Sequence, residues 1–166
     1  MRIYLVRHSN AVDPGTPGYE DDSQRPLTEK GRDKMNKIAS GLKKMNLKPD
    51  LIVSSPYVRA RQTAEILAKV LKYKRNIIFS DALVPMGNTD EIIGEINEKY
   101  DVDELVLVGH EPFISNLIGV LTAANPDIAI NMKNGGVCCL SVDDLHVERT
   151  AILEWLLTPK ILSALS

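Results

Sequence analysis

Short runs of apolar residues, separated by polar and turn-forming segments, recur along the 166-residue chain and predict β-strands. Residues 2–7, 51–54 and 105–108 are dominated by apolar side chains, which is typical of strands buried on both faces of a sheet. Three further segments of similar character are also predicted to be strands, at 76–79, 137–142 and 149–156.

Between these strands the apolar positions recur every three or four residues, which predicts amphipathic helices. Thr28 is a candidate N-cap of the first helix, Ser55 and Pro56 mark the start of the second, and two more are expected after Asn88 and Pro112. In the first helix we expect one apolar stripe to be buried, formed by Met35, Ile38, Ala39, Leu42 and Met45.

This alternation of strands and helices predicts an α/β fold, in which a mostly parallel sheet is covered by helices on both faces. The expected architecture is therefore a three-layer α/β/α sandwich. No repeat, low-complexity tract or linker interrupts the chain, so residues 1–166 are predicted to form a single domain. In such sheets ligands bind at the carboxyl ends of the strands.

Composition and charge exclude several function classes. The net charge is −2 and basic and acidic residues are mixed along the chain, so neither nucleic acid nor a membrane surface is an expected partner. The first apolar stretch, at residues 3–6, is too short for a signal peptide. Cys138 and Cys139 are neighbours that would point to opposite faces of a strand, which suits neither a disulfide nor a shared metal site. We therefore expect a cytoplasmic protein, and a monomer because no exposed apolar face stands out.

Polar residues follow three of the predicted strands. The first strand leads into Arg7 and His8, the second into Ser55 and then Arg59, and the fourth into His110. Each residue alone is weak evidence, but in a parallel sheet the carboxyl ends of the strands share one edge. Arginine guanidinium groups and histidine rings gathered there would suit a tetrahedral dianion such as phosphate.

Two other candidate features have plainer interpretations. Arg61 lies two positions after Arg59, so it should face elsewhere on the helix and remain solvated. His146 lies among Asp143, Asp144 and Glu148, a pattern that resembles a metal site, although a solvated turn explains it better. No cofactor and no metal are expected.

Four segments carry a family resemblance: LVRH at 5–8, RPLTEKG at 25–31, SSPYVRARQTA at 54–64 and VGH at 108–110. In order and spacing the first, third and fourth of these resemble the histidine phosphatase superfamily, whose fold is called phosphoglycerate mutase-like. Within it the chain most resembles the SixA-type phosphohistidine phosphatases, which are minimal members without large insertions and whose Arg-x-Leu-Thr-x-x-Gly block the segment 25–31 matches.

The resemblance implies a phosphatase in which His8 accepts the phosphoryl group and forms a covalent intermediate, without a metal. The catalytic residues it implies are His8, Arg7, Arg59 and His110. Arg25, Ser9 and Ser55 are additional candidates for substrate binding. Ser9 stands where glycine is frequent in the family, and its hydroxyl is a further candidate contact to phosphate.

Pro85 marks a second departure from the family pattern. Many superfamily members carry a glutamate in this region that protonates an alcohol leaving group, and proline cannot donate a proton. An imidazole leaving group needs such an acid less, so this departure favours phosphohistidine as substrate. Four other carboxyl groups remain alternative proton donors, although surface or capping roles are favoured for them: Asp81, Asp90, Glu91 and Glu111.

The expected substrate is a phosphorylated protein, with a histidine phosphotransfer domain as the family-based expectation. The short chain leaves few residues for a lid, so the pocket should be open, with the solvated loop 14–22 at its entrance. One alternative is a phosphomonoesterase that acts on small molecules. The second is an inactive module that binds phosphoproteins.

Overall fold

The computed structural model describes residues 1–143, residue 145 and residues 151–166. It contains one six-stranded sheet, in the order β3-β2-β4-β1-β5-β6. The strands are β1 Arg2–Arg7, β2 Leu51–Ser54, β3 Ile78–Phe79, β4 Glu104–Gly109, β5 Val137–Val142 and β6 Ala151–Leu157. The helices are α1 Glu29–Lys44, α2 Val58–Leu71, α3 Thr89–Lys99, α4 Phe113–Ala123 and α5 Pro159–Ala164.

The mostly parallel sheet is confirmed. Strands β1, β4, β2 and β3 are parallel to one another, whereas at the other side β5 pairs antiparallel with β1, and β6 pairs antiparallel with β5. The buried apolar residues form two clusters, one on each face of the sheet. Helices α3 and α4 cover one cluster, and α1, α2 and α5 cover the other, so the three-layer architecture is also confirmed.

Most predicted element boundaries agree with the structure. The Thr28 side chain accepts a hydrogen bond from the Gly31 amide and caps α1, while Asn88 accepts one from the Asp90 amide at the start of α3. Three predictions were wrong in detail, as the next paragraphs describe. Residues 149 and 150 of the predicted last strand, together with Asp144, His146 and Glu148, lie outside the described residues.

Helix α2 begins later than predicted. Its first helical residue is Val58 and its N-cap is Tyr57, which makes no side-chain capping bond. The Ser55 hydroxyl accepts the Tyr57 amide instead, at 3.3 Å, and thereby shapes a turn between β2 and the helix. Ser55 and Pro56 thus precede the helix rather than start it.

Two further corrections concern shorter features. Met45 lies beyond the last residue of α1 and is 37% exposed, because the chain turns away from the core there. The third strand is limited to Ile78–Phe79, since only these two residues pair with β2.

The two cysteines are free and buried, one in the apolar cluster on each face of the sheet. Burial raises the pKa of the Cys138 thiol to about 12, so this side chain is an inert part of the core. Among the described residues, no helix has the length and apolar character needed to cross a membrane.

Candidate active site

The register of the parallel strands brings the predicted site residues together. Arg7 at the end of β1 pairs with Gly109 at the end of β4, and Ser54 at the end of β2 pairs with Val108. The chain therefore leaves all three strands at one edge of the sheet. There the rings of His8 and His110 lie with their centroids 5.0 Å apart.

His8 is held as a neutral imidazole with a defined tautomer. Its Nδ1 lies 2.7 Å from the Ser9 carbonyl oxygen, which can only accept, so Nδ1 carries the hydrogen. Its Nε2 therefore has a lone pair, which accepts a hydrogen bond from Arg59 Nε at 3.3 Å. Burial lowers the pKa of His8 to about 3, and the nearby charges of Arg59 and Arg7 act in the same direction.

Arg59 is 3% exposed and lies in the first turn of α2. Its terminal nitrogens donate to the backbone oxygen of Asp22 at 2.7 Å and to the Asp22 carboxylate at 2.9 Å, while Nε points to His8. The Tyr57 ring lies 5.1 Å from the guanidinium carbon. The guanidinium plane is therefore fixed on three sides beside the nucleophilic nitrogen.

Asp22 is the site residue that the sequence did not reveal, since its acidic run was interpreted as a solvated loop. Its carboxylate also pairs with Arg25, at 2.6 Å, so it joins two arginines of the site. Although burial works against it, hydrogen bonds from Arg25 and Arg59 hold the pKa of Asp22 below its usual value. The position of Asp22 three residues before Arg25 was the available signal.

Arg7 and His110 each keep a buried nitrogen without a hydrogen-bond partner among the described residues. For Arg7 this atom is Nε, whereas Nη1 donates to the Met132 carbonyl at 2.6 Å. For His110 it is Nδ1, because Nε2 lies 2.9 Å from the Ser55 hydroxyl. Leaving such groups unpaired costs free energy, so both atoms fit a site that accepts an oxyanion.

The hydrogen bond to Ser55 also defines how His110 can act. Burial lowers the pKa of His110 to about 2, and the neighbouring His8, Arg59 and Arg7 add to this effect, so the ring is neutral. The Ser55 oxygen already accepts the Tyr57 amide, which favours donation of its own hydrogen to His110 Nε2. In that tautomer Nδ1 of His110 carries the hydrogen and can donate it to a phosphate oxygen. Ser55 thus positions His110.

Ser9 has a different role from the one expected. It is fully buried, and its hydroxyl donates to the Gly31 carbonyl at 2.8 Å while its amide donates to Thr63. The prediction that Ser9 binds substrate through its hydroxyl is therefore wrong, because that group links the loop after β1 to α1. Gly31 permits this contact, since a Cβ there would lie 2.0 Å from the Asn10 carbonyl oxygen.

The side chains enclose a cavity of about 310 Å³, which we call the phosphate pocket. Its wall contains all five of the predicted basic residues: Arg7, His8, Arg25, Arg59 and His110. Asp13, Pro14 and Asp22 also line it, which confirms that the loop 14–22 borders the site. Arg61, by contrast, lies outside the pocket, half exposed and 3.7 Å from Glu65, as predicted.

Pro85 lines the phosphate pocket, and so does Glu111. Both carboxylate oxygens of Glu111 accept hydrogen bonds from Ser115, one from the amide and one from the hydroxyl. These two bonds hold the carboxylate against the first turn of α4. The other three alternative acids, Asp81, Asp90 and Glu91, lie in the first turns of helical segments and are not part of the pocket wall.

Comparison with known proteins agrees with this geometry. A family model described as histidine phosphatase superfamily (branch 1) matches residues 3–88. An uncharacterized protein of Picosynechococcus is 32% identical over 140 residues, which is 82% of either chain. The chain belongs to the histidine phosphatase superfamily.

Within this superfamily the phosphohistidine phosphatase SixA of Escherichia coli is similar to the chain, at 25% identity over 73% of this chain and 74% of that protein. A structure of the protein histidine phosphatase SixA with tungstate has a TM-score of 0.84, with 23% identity over 98% of this chain and 99% of that one. An α-ribazole phosphatase of Shigella flexneri shares the fold at a TM-score of 0.77, with 15% identity over 96% and 97% of the two chains. Family and site together make the chain a phosphatase, and its substrate is the remaining question.

Proposed function

We propose that this superfamily member is a phosphohistidine phosphatase, which removes phosphate from a histidine-phosphorylated protein through a phospho-His8 intermediate. The observation that carries the proposal is the state of His8. Its ring is neutral, its Nδ1–H donates to the Ser9 carbonyl, and its Nε2 lone pair lies beside Arg59. A nucleophile needs this combination at neutral pH.

In the first step, Nε2 of His8 forms a bond to phosphorus as the P–N bond of the substrate breaks. The electron pair of that bond goes to the leaving imidazole, which departs neutral because its other nitrogen already carries a proton. The His8 ring becomes positively charged, and its Nδ1–H bond to the Ser9 carbonyl stabilises that charge. Arg7, Arg59 and His110 hold the phosphoryl oxygens.

In the second step, water attacks phosphorus and the bond to His8 breaks. The oxygen of the water stays on phosphorus, its proton passes to a phosphoryl oxygen, and His8 regains its lone pair. Both steps use only protein groups and water, so we propose a reaction that is independent of metal.

The choice of phosphohistidine rests on Pro85, which stands where many superfamily members carry a glutamate that protonates the leaving group. Pro85 lines the pocket, and the Glu111 carboxylate, also in the wall, accepts two hydrogen bonds from Ser115. An alkoxide leaving group needs a proton in the transition state, whereas a protonated phosphoimidazole releases a neutral ring. This difference favours P–N over P–O substrates.

A small-molecule phosphomonoesterase is the second candidate, supported by the shared fold of the Shigella flexneri α-ribazole phosphatase. An inactive phosphoprotein-binding module is the weaker candidate, since His8, Arg7, Arg59 and His110 are all present in the pocket. We also propose that the protein is cytoplasmic and monomeric, and that it acts in signal transduction on a histidine phosphotransfer domain.

Three substrates separate these functions: a phosphohistidine peptide, the same peptide with phosphoserine in its place, and p-nitrophenyl phosphate. We expect kcat/KM to be highest for phosphohistidine and lowest for phosphoserine, whose alkoxide is the poorest leaving group. Rapid quenching should also trap a phosphoenzyme that is labile in acid and stable in base. A preference for phosphoserine or for p-nitrophenyl phosphate would overturn the assignment, and failure to turn over any of the three would support the binding module.

A further inference from the structure

A second cavity, of about 640 Å³, adjoins the phosphate pocket. We call it the lysine groove, after Lys34, Lys133 and Lys160 in its wall. It shares Arg7 and Asn134 with the phosphate pocket, so the two cavities meet at one side of the reacting centre. A ligand whose phosphoryl group lies on His8 can therefore extend into the groove.

The groove carries positive charge that no acidic residue in its wall neutralises. None of its lining residues, all of which the structure describes, has a carboxylate. Lys133 and Lys160 are exposed, and neither forms an ion pair within the described part of the chain. In the wall of the phosphate pocket, by contrast, the Asp22 carboxylate pairs with Arg25 and Arg59 and offsets their positive charge.

Lys34 is held in place by neutral groups. Its Nζ donates to the Asn10 side-chain oxygen at 2.9 Å and to the Asn134 carbonyl at 2.8 Å. Burial lowers its pKa from the usual value, and the charges of Arg7 and Lys30 act in the same direction. An anion that entered the groove would relieve this repulsion between cations.

We propose that the lysine groove binds acidic side chains that flank the phosphohistidine of a protein substrate. The inference rests on the proposed function, and it specifies the charge of the protein surface that the site would prefer. A phosphoryl group on His8 fixes one point of the substrate, and the groove then favours carboxylates on the side next to Arg7. Electrostatic complementarity of this kind determines which partner is chosen and how it is oriented.

Two phosphohistidine peptides test the proposal, one with glutamates on both sides of the phosphohistidine and one with glutamines at the same positions. For the wild-type protein we expect kcat/KM to be about tenfold higher for the glutamate peptide, mainly through KM, because several ion pairs form together. The double variant Lys133→Glu/Lys160→Glu should reduce this ratio to about one or below. Raising the salt concentration to about 0.5 M should also reduce the ratio, because exposed charges are screened.

The matched control is Lys43→Glu/Lys74→Glu, which reverses two exposed lysines beside a cavity at the other end of the sheet. This variant should keep the wild-type ratio, which excludes a general effect of net charge. Equal kcat/KM for the two peptides with the wild-type protein would overturn the groove and leave the phosphohistidine assignment intact. A ratio that survives the groove variant would do the same. Turnover of neither peptide, with p-nitrophenyl phosphate still hydrolysed, would overturn the proposed function and the groove together.

Discussion

Polar side chains lie at both edges of the sheet, but their hydrogen bonding differs between the two edges. At the amino edge, the Asp50 carboxylate accepts the amides of Asp103 and Glu104, and the Glu104 carboxylate accepts the amide of Lys48. At the carboxyl edge, buried nitrogens of Arg7 and His110 have no partner among the described residues. The polar groups at the amino edge therefore stabilise the fold, whereas those at the carboxyl edge are available to bind a ligand.

Cavity size does not distinguish the two edges in the same way. The cavity at the amino edge measures about 460 Å³, larger than the 310 Å³ of the phosphate pocket. Its wall includes Asp50, which already has its backbone partners. Buried polar atoms that still need partners are therefore the better guide to the reacting site.

The largest expected effect comes from removing the nucleophile at the carboxyl edge. His8→Ala should lower kcat by about 10⁴-fold or more and abolish the phosphoenzyme, because the variant lacks the Nε2 lone pair that attacks phosphorus. Steady-state rates and rapid-quench labelling measure this, and circular dichroism checks that the variant is folded. Residual activity above a few per cent would contradict the role given to His8.

Arg59→Lys tests how far the fixed guanidinium plane matters. Lysine keeps the charge but cannot contact Asp22 and His8 through separate nitrogens, so we expect kcat/KM to fall by about 10²-fold. The matched control is Arg61→Lys, because Arg61 lies in the same helix but is exposed and outside the pocket. This variant should keep wild-type activity. Equal behaviour of the two variants would show that only charge counts at position 59.

The pH dependence of stability should report the buried histidines. Their folded pKa values of about 3 for His8 and about 2 for His110 lie below the unfolded value near 6.5. The unfolded chain therefore binds more protons below pH 6.5, and the free energy of unfolding decreases as the pH falls. Between pH 6.5 and 5 the loss should be about 2 kcal/mol for each histidine.

Urea unfolding at several pH values measures this slope. His110→Asn should remove the contribution of His110 to the pH dependence of the free energy of unfolding. The slope of the variant should therefore be about half as steep over the same range. An unchanged slope would mean that folding does not lower the pKa of His110.

The smallest effect is expected at the amino edge. Asp50→Ala should lower the free energy of unfolding by about 1 kcal/mol, because two backbone amides lose their acceptor. Asp50→Asn should recover part of that loss. Activity should stay at the wild-type level in both variants, and a marked decrease in kcat/KM would show that the two edges are coupled.

Much of this molecule follows from local patterns in its sequence. The apolar runs predict the strands, and the rule that parallel strands end at one edge brings His8, Arg59 and His110 together. The sequence places the start of α2 too early, because Ser55 and Pro56 form a plausible cap, whereas in the structure the Ser55 hydroxyl contacts the Tyr57 amide and His110.

The contact of Asp22 with Arg59 and that of Ser9 with Gly31 do not follow from such patterns, because each joins residues that are distant in sequence. Asp22 reaches Arg59 across 37 positions, and Ser9 reaches Gly31 across 22. Only the packed structure decides whether an acidic loop residue is solvated or paired, and whether a buried hydroxyl faces a ligand or a carbonyl.

The close approach at Gly31 gives the segment 25–31 a structural role that is separate from catalysis. The first helical turn of α1 passes so near the Asn10 carbonyl that a methyl group would not fit between them. The glycine therefore acts as a spacer that sets the distance between the nucleophile loop and its supporting helix. A relative that had lost its histidine could still retain this spacer, and a designer who transplants the loop must transplant the helix with it.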